Sequence, residues 1–334
     1  MTQIDLYPLK FEPIYQYRIW GGRRLSNLLS KPLPPDDPIG EAWILSDRDD
    51  HPSTVTEGLL KGKTIKELLA DSADELLGRY AVNYDRFPLL LKFLDAQKVL
   101  SVQVHPSDDK KAYIPNGESG KTEAWVVLET GPEGRIYAGL KPGTTKESLQ
   151  KDLADHKVAD DLASFQPELG DSVFIKAGTV HTLADLVVFE IQQNSDVTYR
   201  LYDWDRVDEK TGKPRNLQVD EAIACIDFSI TNVGPNVPVK EDDKSVFREK
   251  IFDSDKFKLW RLTCKSLFTI GEEGAPRVLI GISGDSEIQT KTDIYTLAKG
   301  EVMLLPASVG PCRFIPRSET VILEVALPDL ILNK

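Results

Sequence analysis

The chain has 334 residues, of which 41% are hydrophobic and 28% are charged, and its formal net charge at pH 7 is −12. The length allows two domains, and the composition is that of an ordinary globular protein. The acidic balance argues against nucleic acid or an anionic membrane as the main partner, and an anionic ligand would need a local cluster of Lys and Arg.

The cysteines and the apolar runs indicate where the protein resides. Three widely separated cysteines without a C-x-x-C pair fit a reducing cytosol better than a disulfide framework. The first ten residues contain no apolar run of signal-peptide length. The most apolar stretch, 88–104, is interrupted by three charged residues and is too short to span a membrane. We therefore expect a cytoplasmic protein without a membrane span.

The first hundred residues predict short strands and one helix. Residues 1–60 are punctuated by Pro and Gly, which indicates short extended pieces with loops. Thr64-x-x-Glu67 is a capping box, and the apolar spacing after it predicts a helical insertion at about 64–80. The run from Leu89 to Leu94 predicts a buried strand.

The stretch from Leu100 to His105, L-S-V-Q-V-H, alternates strictly between apolar and polar residues. This period predicts a strand, since successive side chains point to opposite faces. Gln103 and His105 then project from the same face, at a spacing that lets both reach one metal ion. The opposite face is apolar and can pack against a second sheet.

The rest of the chain continues with strands and two helical segments. A strand at 126–128 follows Lys121-Thr-Glu-Ala-Trp125, and a second capping box, Thr144-x-x-Glu147, predicts a helical insertion at about 144–164. Further strands are predicted at 171–176, 187–192 and 198–202, with a helix at 219–226. The polar segment 229–244 is the best linker candidate, and short strands dominate after it.

An internal echo predicts two related domains. Residues 170–181, G-D-S-V-F-I-K-A-G-T-V-H, align without gaps on 300–311, G-E-V-M-L-L-P-A-S-V-G-P. Repeated short strands with Gly and Pro turns predict a pair of antiparallel β-sandwich or barrel domains, at 1–230 and 245–334. Pro311 takes the place of His181 in the second copy, and Pro276 lies near the place of Glu123. Any metal chemistry therefore belongs to the first domain.

Four motifs in order carry a resemblance to a known family. Gly170-x5-Lys176-x-Gly178-x2-His181 resembles the second motif of the cupin barrels, with Lys176 where Pro is usual. The series S-V-Q-V-H-P, G-K-T-E-A-W, A-G-T-V-H and S-D-V-T-Y-R resembles the type I mannose-6-phosphate isomerases, most of all their short bacterial form. The resemblance covers about 5–230 well and the second domain weakly. It implies a mainly β fold of two cupin-like antiparallel β-barrel or jelly-roll domains with added helices.

The resemblance also implies an activity and a cofactor. The reaction would be interconversion of mannose 6-phosphate and fructose 6-phosphate, with proton transfer between C2 and C1 through a cis-enediol. One Zn²⁺ per chain would be held by Gln103, His105, Glu123 and His181, an N/O set that suits this ion. The expected partner is a small-molecule sugar phosphate, and the chain is expected to be a monomer or homodimer.

Three residues are candidates for catalysis. If its segment is extended, Lys121 shares a face with Glu123, which puts an ammonium beside the metal; the alternative is a solvated lysine in a Gly-flanked loop. Arg200 matches an active-site arginine of the family; the alternative is a surface ion pair with Asp196 or Asp203. Asp196 also matches the family pattern and could orient Arg200 or relay a proton.

Substrate-binding candidates are weaker. Lys92 and Lys98 are candidates for the phosphate, although an exposed lysine is the default reading of both. Trp20, like Trp43, is a candidate for the pocket wall, with core packing equally compatible.

Two rival functions remain open from the sequence. A different metal-dependent cupin enzyme, such as an Fe(II) dioxygenase, usually needs several histidines, and a Gln ligand weighs against it. A non-catalytic sugar-binding or regulatory cupin would need neither Lys121 nor Arg200 near the metal.

Overall fold

The computed structural model describes residues 5–243 and 245–329, and this part of the chain is mainly antiparallel β. Up to residue 230 the strands are β1 (Leu9–Lys10), β2 (Ile14–Gly22), β3 (Ile39–Leu45), β4 (Asp47–Arg48), β5 (His51–Pro52), β6 (Leu89–Ala96), β7 (Val102–Val104), β8 (Glu123–Leu140), β9 (Leu162–Phe165), β10 (Ser172–Ile175), β11 (His181–Gln193), β12 (Tyr199–Tyr202), β13 (Val207–Asp208) and β14 (Lys213–Pro214). Beyond it they are β15 (Val239–Glu241), β16 (Phe247–Asp253), β17 (Lys258–Cys264), β18 (Phe268–Ile270), β19 (Arg277–Ser283), β20 (Ser286–Gln289), β21 (Ile294–Leu297), β22 (Val302–Leu305), β23 (Cys312–Pro316) and β24 (Thr320–Ala326). The α-helices are α1 (Leu25–Leu29), α2 (Ile65–Leu77), α3 (Lys146–Ala154) and α4 (Val219–Cys225), and 3₁₀ turns occupy Gly78–Asn83, Lys111–Tyr113 and Val158–Asp161.

Two large sheets have the same strand order. The first runs β10-β8-β11-β6-β3-β2, with β7, β9 and β12 joined to its sides. The second runs β22-β19-β24-β17-β16-β15, with β1 added beyond β22, and a smaller sheet β18-β23-β20-β21 packs with it around a separate apolar core. Every pairing in these sheets is antiparallel. The predicted fold class, mainly β with two cupin-like barrels and added helices, is confirmed.

The internal echo corresponds to a repeated topology. Its two copies contain β10 and β22, which hold the same position in their sheets. In the first sheet Ile175 stands opposite Glu123. In the second, Leu305 stands opposite Arg277, next to Pro276. A guanidinium therefore occupies the register position that the first copy gives to a carboxylate.

Strands β6 and β11 are buried on both faces, which explains their nearly continuous apolar sequence. On β6, Leu91 and Phe93 point into an apolar cluster that also contains Leu304 and Val325 of the second sheet. Leu94 points the other way, into the interior of the first barrel. Burying one such large side chain contributes about 1.5–3 kcal/mol. A charged residue on the inward face, such as Lys92, is consequently buried inside the barrel.

The helices follow their capping residues. Thr64 and Glu67 form the predicted capping box of α2, with both reciprocal hydrogen bonds present. The second box is displaced from the prediction by one residue: Thr145 and Ser148 form it, and α3 begins at Lys146. Thr145 can cap because its backbone is extended, with φ −108° and ψ 169°. The insertion at 144–164 is only partly helical, since a 3₁₀ turn and β9 follow α3.

The division into domains at 1–230 and 245–334 stays a prediction. Strand β1 belongs to the second sheet, where Leu9 pairs with Leu304. The apolar cluster between the sheets also draws on both ranges. Residues 1–4, Lys244 and 330–334 fall inside the predicted domains or linker but lie outside the described residues. Within the described ranges, none of the helices combines the length and apolar character that crossing a bilayer requires.

Candidate metal centre and substrate cavity

Strand β7 presents Gln103 to the interior of the first barrel. Its neighbours Val102 and Val104 are fully buried in an apolar cluster on the opposite face. Gln103 stands directly opposite His181, the first residue of β11. The amide nitrogen of Gln103 lies 3.2 Å from Nε2 of His181. A half-turn of the amide exchanges its nitrogen and oxygen, so the same side chain can present Oε1 at this point.

Glu123 brings a carboxylate between two histidines. It begins β8 and is held on both sides, opposite Ile175 of β10 and Gln192 of β11. Its Oε2 lies 3.3 Å from His105 Nε2, and its Oε1 lies 3.3 Å from His181 Nε2. One ligand atom from each of these three residues lies within 4.8 Å of the other two. All three side chains are almost completely inaccessible to solvent.

Backbone carbonyls fix the orientation of both imidazoles. His105 Nδ1 lies 2.9 Å from the carbonyl oxygen of Val197, and His181 Nδ1 lies 2.9 Å from that of Thr179. A carbonyl accepts only, so each Nδ1 carries the proton and donates it. The Nε2 lone pairs are then left facing Glu123. Metal-ligating histidines are typically oriented by a hydrogen bond of this kind.

The electrostatics of the group favour a cation. His105 Nε2 and Glu123 Oε1 are buried without hydrogen-bond partners, and Glu123 Oε2 has the Lys121 ammonium as its ion-pair partner at 3.0 Å. Buried polar atoms without partners are costly unless something binds them. Burial and Lys121 lower the pKa of His105 to about 3, so its imidazole is neutral at pH 7. Burial raises the pKa of Glu123, but Lys121 and His105 outweigh it and hold this pKa well below its usual range. Two imidazoles and a carboxylate are a donor set that fits a divalent metal ion.

A cavity of about 400 Å³ opens beside this group. It is lined by residues from β2, β3, β6, β7, β11, β12 and β13 and from the segments beside them. Lys121 lies at its inner end, with Nζ 3.0 Å from Glu123 Oε2. Among the residues predicted from the sequence, the structure brings these to the cavity: Trp20, Lys92, Gln103, Lys121, Asp196 and Arg200.

Lys92 is the centre of a buried charge cluster. Its Nζ lies 3.6 Å from Glu41, 3.5 Å from Glu190 and 3.7 Å from Asp196, and 4.9 Å above the ring of Trp43. Burial lowers the pKa of Lys92, but Glu41 and Glu190 outweigh it and raise this pKa. The ammonium therefore stays charged. Lys92 is therefore a buried residue, and the alternative of an ordinary solvent-exposed lysine is wrong for it.

Two acidic residues of this cluster were missed by the sequence analysis. Glu190 accepts a hydrogen bond from the indole N–H of Trp125 at 2.8 Å, and burial and Glu123 raise the pKa of Glu190. Burial raises the pKa of Glu41, but Arg18 and Lys92 outweigh it and lower this pKa. Glu190 has the same parity on its strand as the inward-facing Val188, but a strand buried on both faces carries no sequence pattern that tells which parity points inward.

The outer end of the cavity is cationic. Arg18, Arg200 and Arg215 all line it. Arg200 donates from one Nη to the carbonyl of Asn216 at 2.7 Å, while its Nε is buried without a hydrogen-bond partner. Burial and Arg215 lower the pKa of Arg200 to about 10. Arg215 is held by Asp203, which it contacts through Nε at 2.8 Å. Arg18 is likewise paired with Glu41, at 2.8 Å, so an anion bound here would satisfy the Nε of Arg200.

The structure does not bring Lys98 to this cavity. Its side chain is 62% exposed, and its Nζ lies 3.8 Å from Glu209. It lines a neighbouring cleft with Tyr17 and Arg206. The turn after β6 carries it away from the barrel interior, whereas the strand position of Lys92 points inward. For Arg200, no ion pair with Asp196 or Asp203 occurs in the described ranges.

In sequence and in structure, the chain is similar to known mannose-6-phosphate isomerases. A family model described as "Phosphomannose isomerase type I, catalytic domain" matches residues 8–124. The chain is 33% identical over 327 residues to "Mannose-6-phosphate isomerase ManA" of Bacillus subtilis (strain 168), covering 94% of this chain and 98% of that protein. It is 30% identical over 309 residues to "Mannose-6-phosphate isomerase" of Streptococcus mutans, covering 92% and 95%. The crystal structure of the Bacillus subtilis mannose 6-phosphate isomerase matches with a TM-score of 0.88 at 28% identity, over 96% of this chain and 99% of that one.

Proposed function

The chain belongs to the type I mannose-6-phosphate isomerase family, and from this premise we propose that it interconverts mannose 6-phosphate and fructose 6-phosphate with the help of one zinc ion. The observation that carries the proposal is the buried group His105, Glu123 and His181 at the inner end of a cavity with a cationic outer end. An aldose–ketose isomerase needs an electrophile at one end and a phosphate site at the other. This cavity offers both.

The zinc ligands in this proposal are Gln103, His105, Glu123 and His181. The buried Oε1 of Glu123, which has no hydrogen-bond partner, and the two imidazoles with Nδ1 already engaged support it. Mixed nitrogen and oxygen donors suit Zn²⁺. When bound, this ion supplies Lewis-acid polarisation of a sugar carbonyl or hydroxyl oxygen.

Side chains of the protein would carry out the proton transfers. Isomerisation moves one proton from C2 to C1 and a second from O2 to O1 through a cis-enediol, so no oxidant is required. Lys121 lies beside Glu123 and can donate to a developing oxyanion. The side chains of Asp196 and Glu190 line the cavity, and each lies within 3.7 Å of Lys92 Nζ. Burial and Glu123 raise the pKa of Glu190, which favours the protonated form that a proton carrier needs.

The phosphate would bind at the outer end. A guanidinium offers fixed donors in a fork that matches phosphate oxygens. Arg200 has a buried unpartnered Nε there, and Arg215 is oriented by Asp203. Lys92 adds charge further in, and Trp20 forms part of the wall. Lys98 remains a sequence-based candidate that this geometry does not support.

The rival functions receive less support. A non-catalytic cupin would need neither Lys121 nor Arg200, yet both line the cavity that holds Gln103. A dioxygenase would have no use for three arginines at the mouth. The second sheet, with Arg277 and Pro311 at the ligand positions, would be an accessory domain. A cytoplasmic location and a monomeric or homodimeric state complete the proposal; fractionation and sedimentation test them.

A coupled isomerase assay tests the function. Purified protein is assayed on mannose 6-phosphate, glucose 6-phosphate and unphosphorylated mannose, before and after dialysis against a chelator and after addition of Zn²⁺. We expect activity on mannose 6-phosphate, its loss on chelation and its return with Zn²⁺. Undiminished activity in protein stripped of metal would refute the metal-assisted reaction. Equal activity on unphosphorylated mannose would refute the phosphate site.

A further inference from the structure

The loop at 106–121 joins two of the proposed metal ligands, since it begins after His105 and ends just before Glu123. Its ends are tied together close to the metal group. The backbone N–H of Lys121 donates to the carbonyl of Pro106 at 3.0 Å. The carboxylate of Asp108 accepts from the backbone N–H of Gly120 at 2.8 Å. Asp108 thus connects a point three residues after one ligand to a point three residues before another.

Gln193 links the same carboxylate to the segment that carries Lys121. Its Nε2 donates to Asp108 Oδ2 at 3.2 Å, and its Oε1 accepts from the backbone N–H of Thr122 at 3.0 Å. The backbone N–H of Gln193 also donates to the carbonyl of Thr122 at 3.1 Å. The chain on both sides of Lys121 is therefore anchored, directly or through one amide, to Asp108.

A lysine from the second sheet reaches this carboxylate. Lys256, in the turn between β16 and β17, places Nζ 3.0 Å from Asp108 Oδ2 and 3.1 Å from the exposed Asp255. The next residue, Phe257, is fully buried, with its ring centroid 6.0 Å from that of Phe174 on β10. The turn is consequently fixed against the first barrel, and its lysine meets Asp108 in a defined place.

We propose that Asp108 is a positioning residue for the metal centre, and that Lys256 gives the second domain a direct part in it by bracing Asp108. The inference rests on the proposed zinc site. A rigid loop base holds His105, Lys121 and Glu123 at fixed separations before the ion arrives. Zinc then binds more tightly, because less conformational entropy is lost in ordering the ligands when the ion binds.

The close packing at Gly120 supports a built contact. A Cβ at this position would lie 2.6 Å from the backbone nitrogen of Asp108 and 2.8 Å from its Oδ1. The approach of the two chain segments therefore requires glycine. Burial raises the pKa of Asp108, but Lys256 and the Gly120 N–H outweigh it and lower this pKa. The carboxylate is charged at neutral pH, as the contact with Lys256 requires.

Zinc affinity of the full-length protein tests the proposal. Dissociation constants are measured by competition with a chromophoric chelator for the wild type and for Asp108→Ala, Lys256→Gln, Lys256→Arg and the double variant Asp108→Ala/Lys256→Gln. Asp108→Ala should raise the zinc Kd about 10-fold, the low end of the range for residues behind metal ligands. Lys256→Gln should raise it up to about fivefold, an effect that shrinks in 1 M NaCl because this pair is partly exposed.

The double variant and the arginine variant separate positioning from simple stability. If Lys256 acts through Asp108, the double variant should bind zinc no more weakly than Asp108→Ala. Lys256→Arg should restore affinity to within about twofold, since it keeps the charge. Lys265→Gln, which breaks an exposed ion pair with Glu319 in the same domain, is the matched control and should leave the Kd unchanged.

Several results would overturn the proposal. An unchanged zinc Kd in Asp108→Ala with a lower melting temperature would leave Asp108 a purely structural role. Multiplying effects in the double variant would show that Lys256 does not work through Asp108. If Asp108→Ala does not fold, the zinc dissociation constants of Lys256→Gln and Lys256→Arg still test whether Lys256 supports the metal centre. A wild-type protein that binds no zinc would instead refute the zinc site itself.

Discussion

Gln103 and His181 face each other across the antiparallel pair of β7 and β11, with their side-chain nitrogens 3.2 Å apart. The strand pairing itself therefore sets this separation, and no flexible loop intervenes. The proposed ligand pair is held by strand register and is therefore rigid. Loss of one member should remove the metal without unfolding the barrel.

The first prediction concerns His181→Ala. Zinc content should fall to near background and activity with it, because one of two imidazole ligands is lost. The fold should persist, since the apolar cores supply most of its stability. Metal analysis by mass spectrometry and circular dichroism measure the two effects. His156→Ala, an exposed histidine paired with Asp205, is the control and should keep its zinc. Stoichiometric zinc in His181→Ala would show that a different residue is the ligand.

The second prediction concerns Arg200→Lys. Lysine keeps the charge but not the fork of donors, so kcat/KM should fall at least ~10-fold, about 1.4 kcal/mol at the transition state. Melting temperature and zinc content should barely change. Steady-state kinetics then divide the roles: a fall in kcat alone assigns Arg200 to proton transfer, and a rise in KM alone assigns it to uniform substrate binding. Wild-type kinetics in Arg200→Lys would contradict both roles.

The third prediction distinguishes Arg215 from Lys98 as the phosphate residue. Arg215→Gln should raise KM about 10-fold or more, since a charge-assisted contact to the phosphate is worth about 1.5–3 kcal/mol. Competitive inhibition by inorganic phosphate should weaken in parallel. Arg313→Gln, which changes an exposed residue on β23, is the control. A large rise in KM for Lys98→Gln with little change for Arg215→Gln would reverse the assignment.

The fourth prediction concerns pH. Burial raises the pKa of Asp203, but hydrogen bonds from Arg215 and Arg206 outweigh it and lower this pKa below the unfolded value of about 3.9. Such a group stabilises the fold above its unfolded pKa, and this stabilisation is lost as the pH falls through its folded pKa. Asp203→Asn should therefore lower the unfolding free energy at pH 7 by roughly 1–3 kcal/mol. Urea titrations of metal-free protein should show the difference shrinking below about pH 4. A constant difference from pH 7 to pH 3 would contradict this.

The sequence predicted those parts of the site that lie on short, clearly patterned strands. Gln103 could be placed because alternation in L-S-V-Q-V-H sets its face directly. Glu41 and Glu190 could not, because strands buried on both faces lose the alternation that tells the inside from the outside. Their roles depend on Lys92, which reads as an ordinary surface charge until the barrel closes around it.

The remaining errors have local and long-range causes. The second capping box was misplaced by one residue because Thr144 and Thr145 are adjacent and both precede a suitable partner. The pairing of β1 with β22 has no local signal at all, since its two strands are separated by most of the chain. Lys92 and Lys98 were both predicted to bind phosphate because both are lysines. Lys92 lies on β6 and points into the barrel, whereas Lys98 lies in the turn after β6.

The placement of β1 also has a consequence for the order of folding. Leu9 is synthesised well before its register partner Leu304, which lies nearly 300 residues further along the sequence. At typical rates of translation, the N-terminal segment emerges tens of seconds before the strand it pairs with. The first barrel can form around its core during that interval, before Leu9 and Lys10 have their β22 partners. Closure of the second sheet is then a late step, because it brings together segments that are far apart in the sequence.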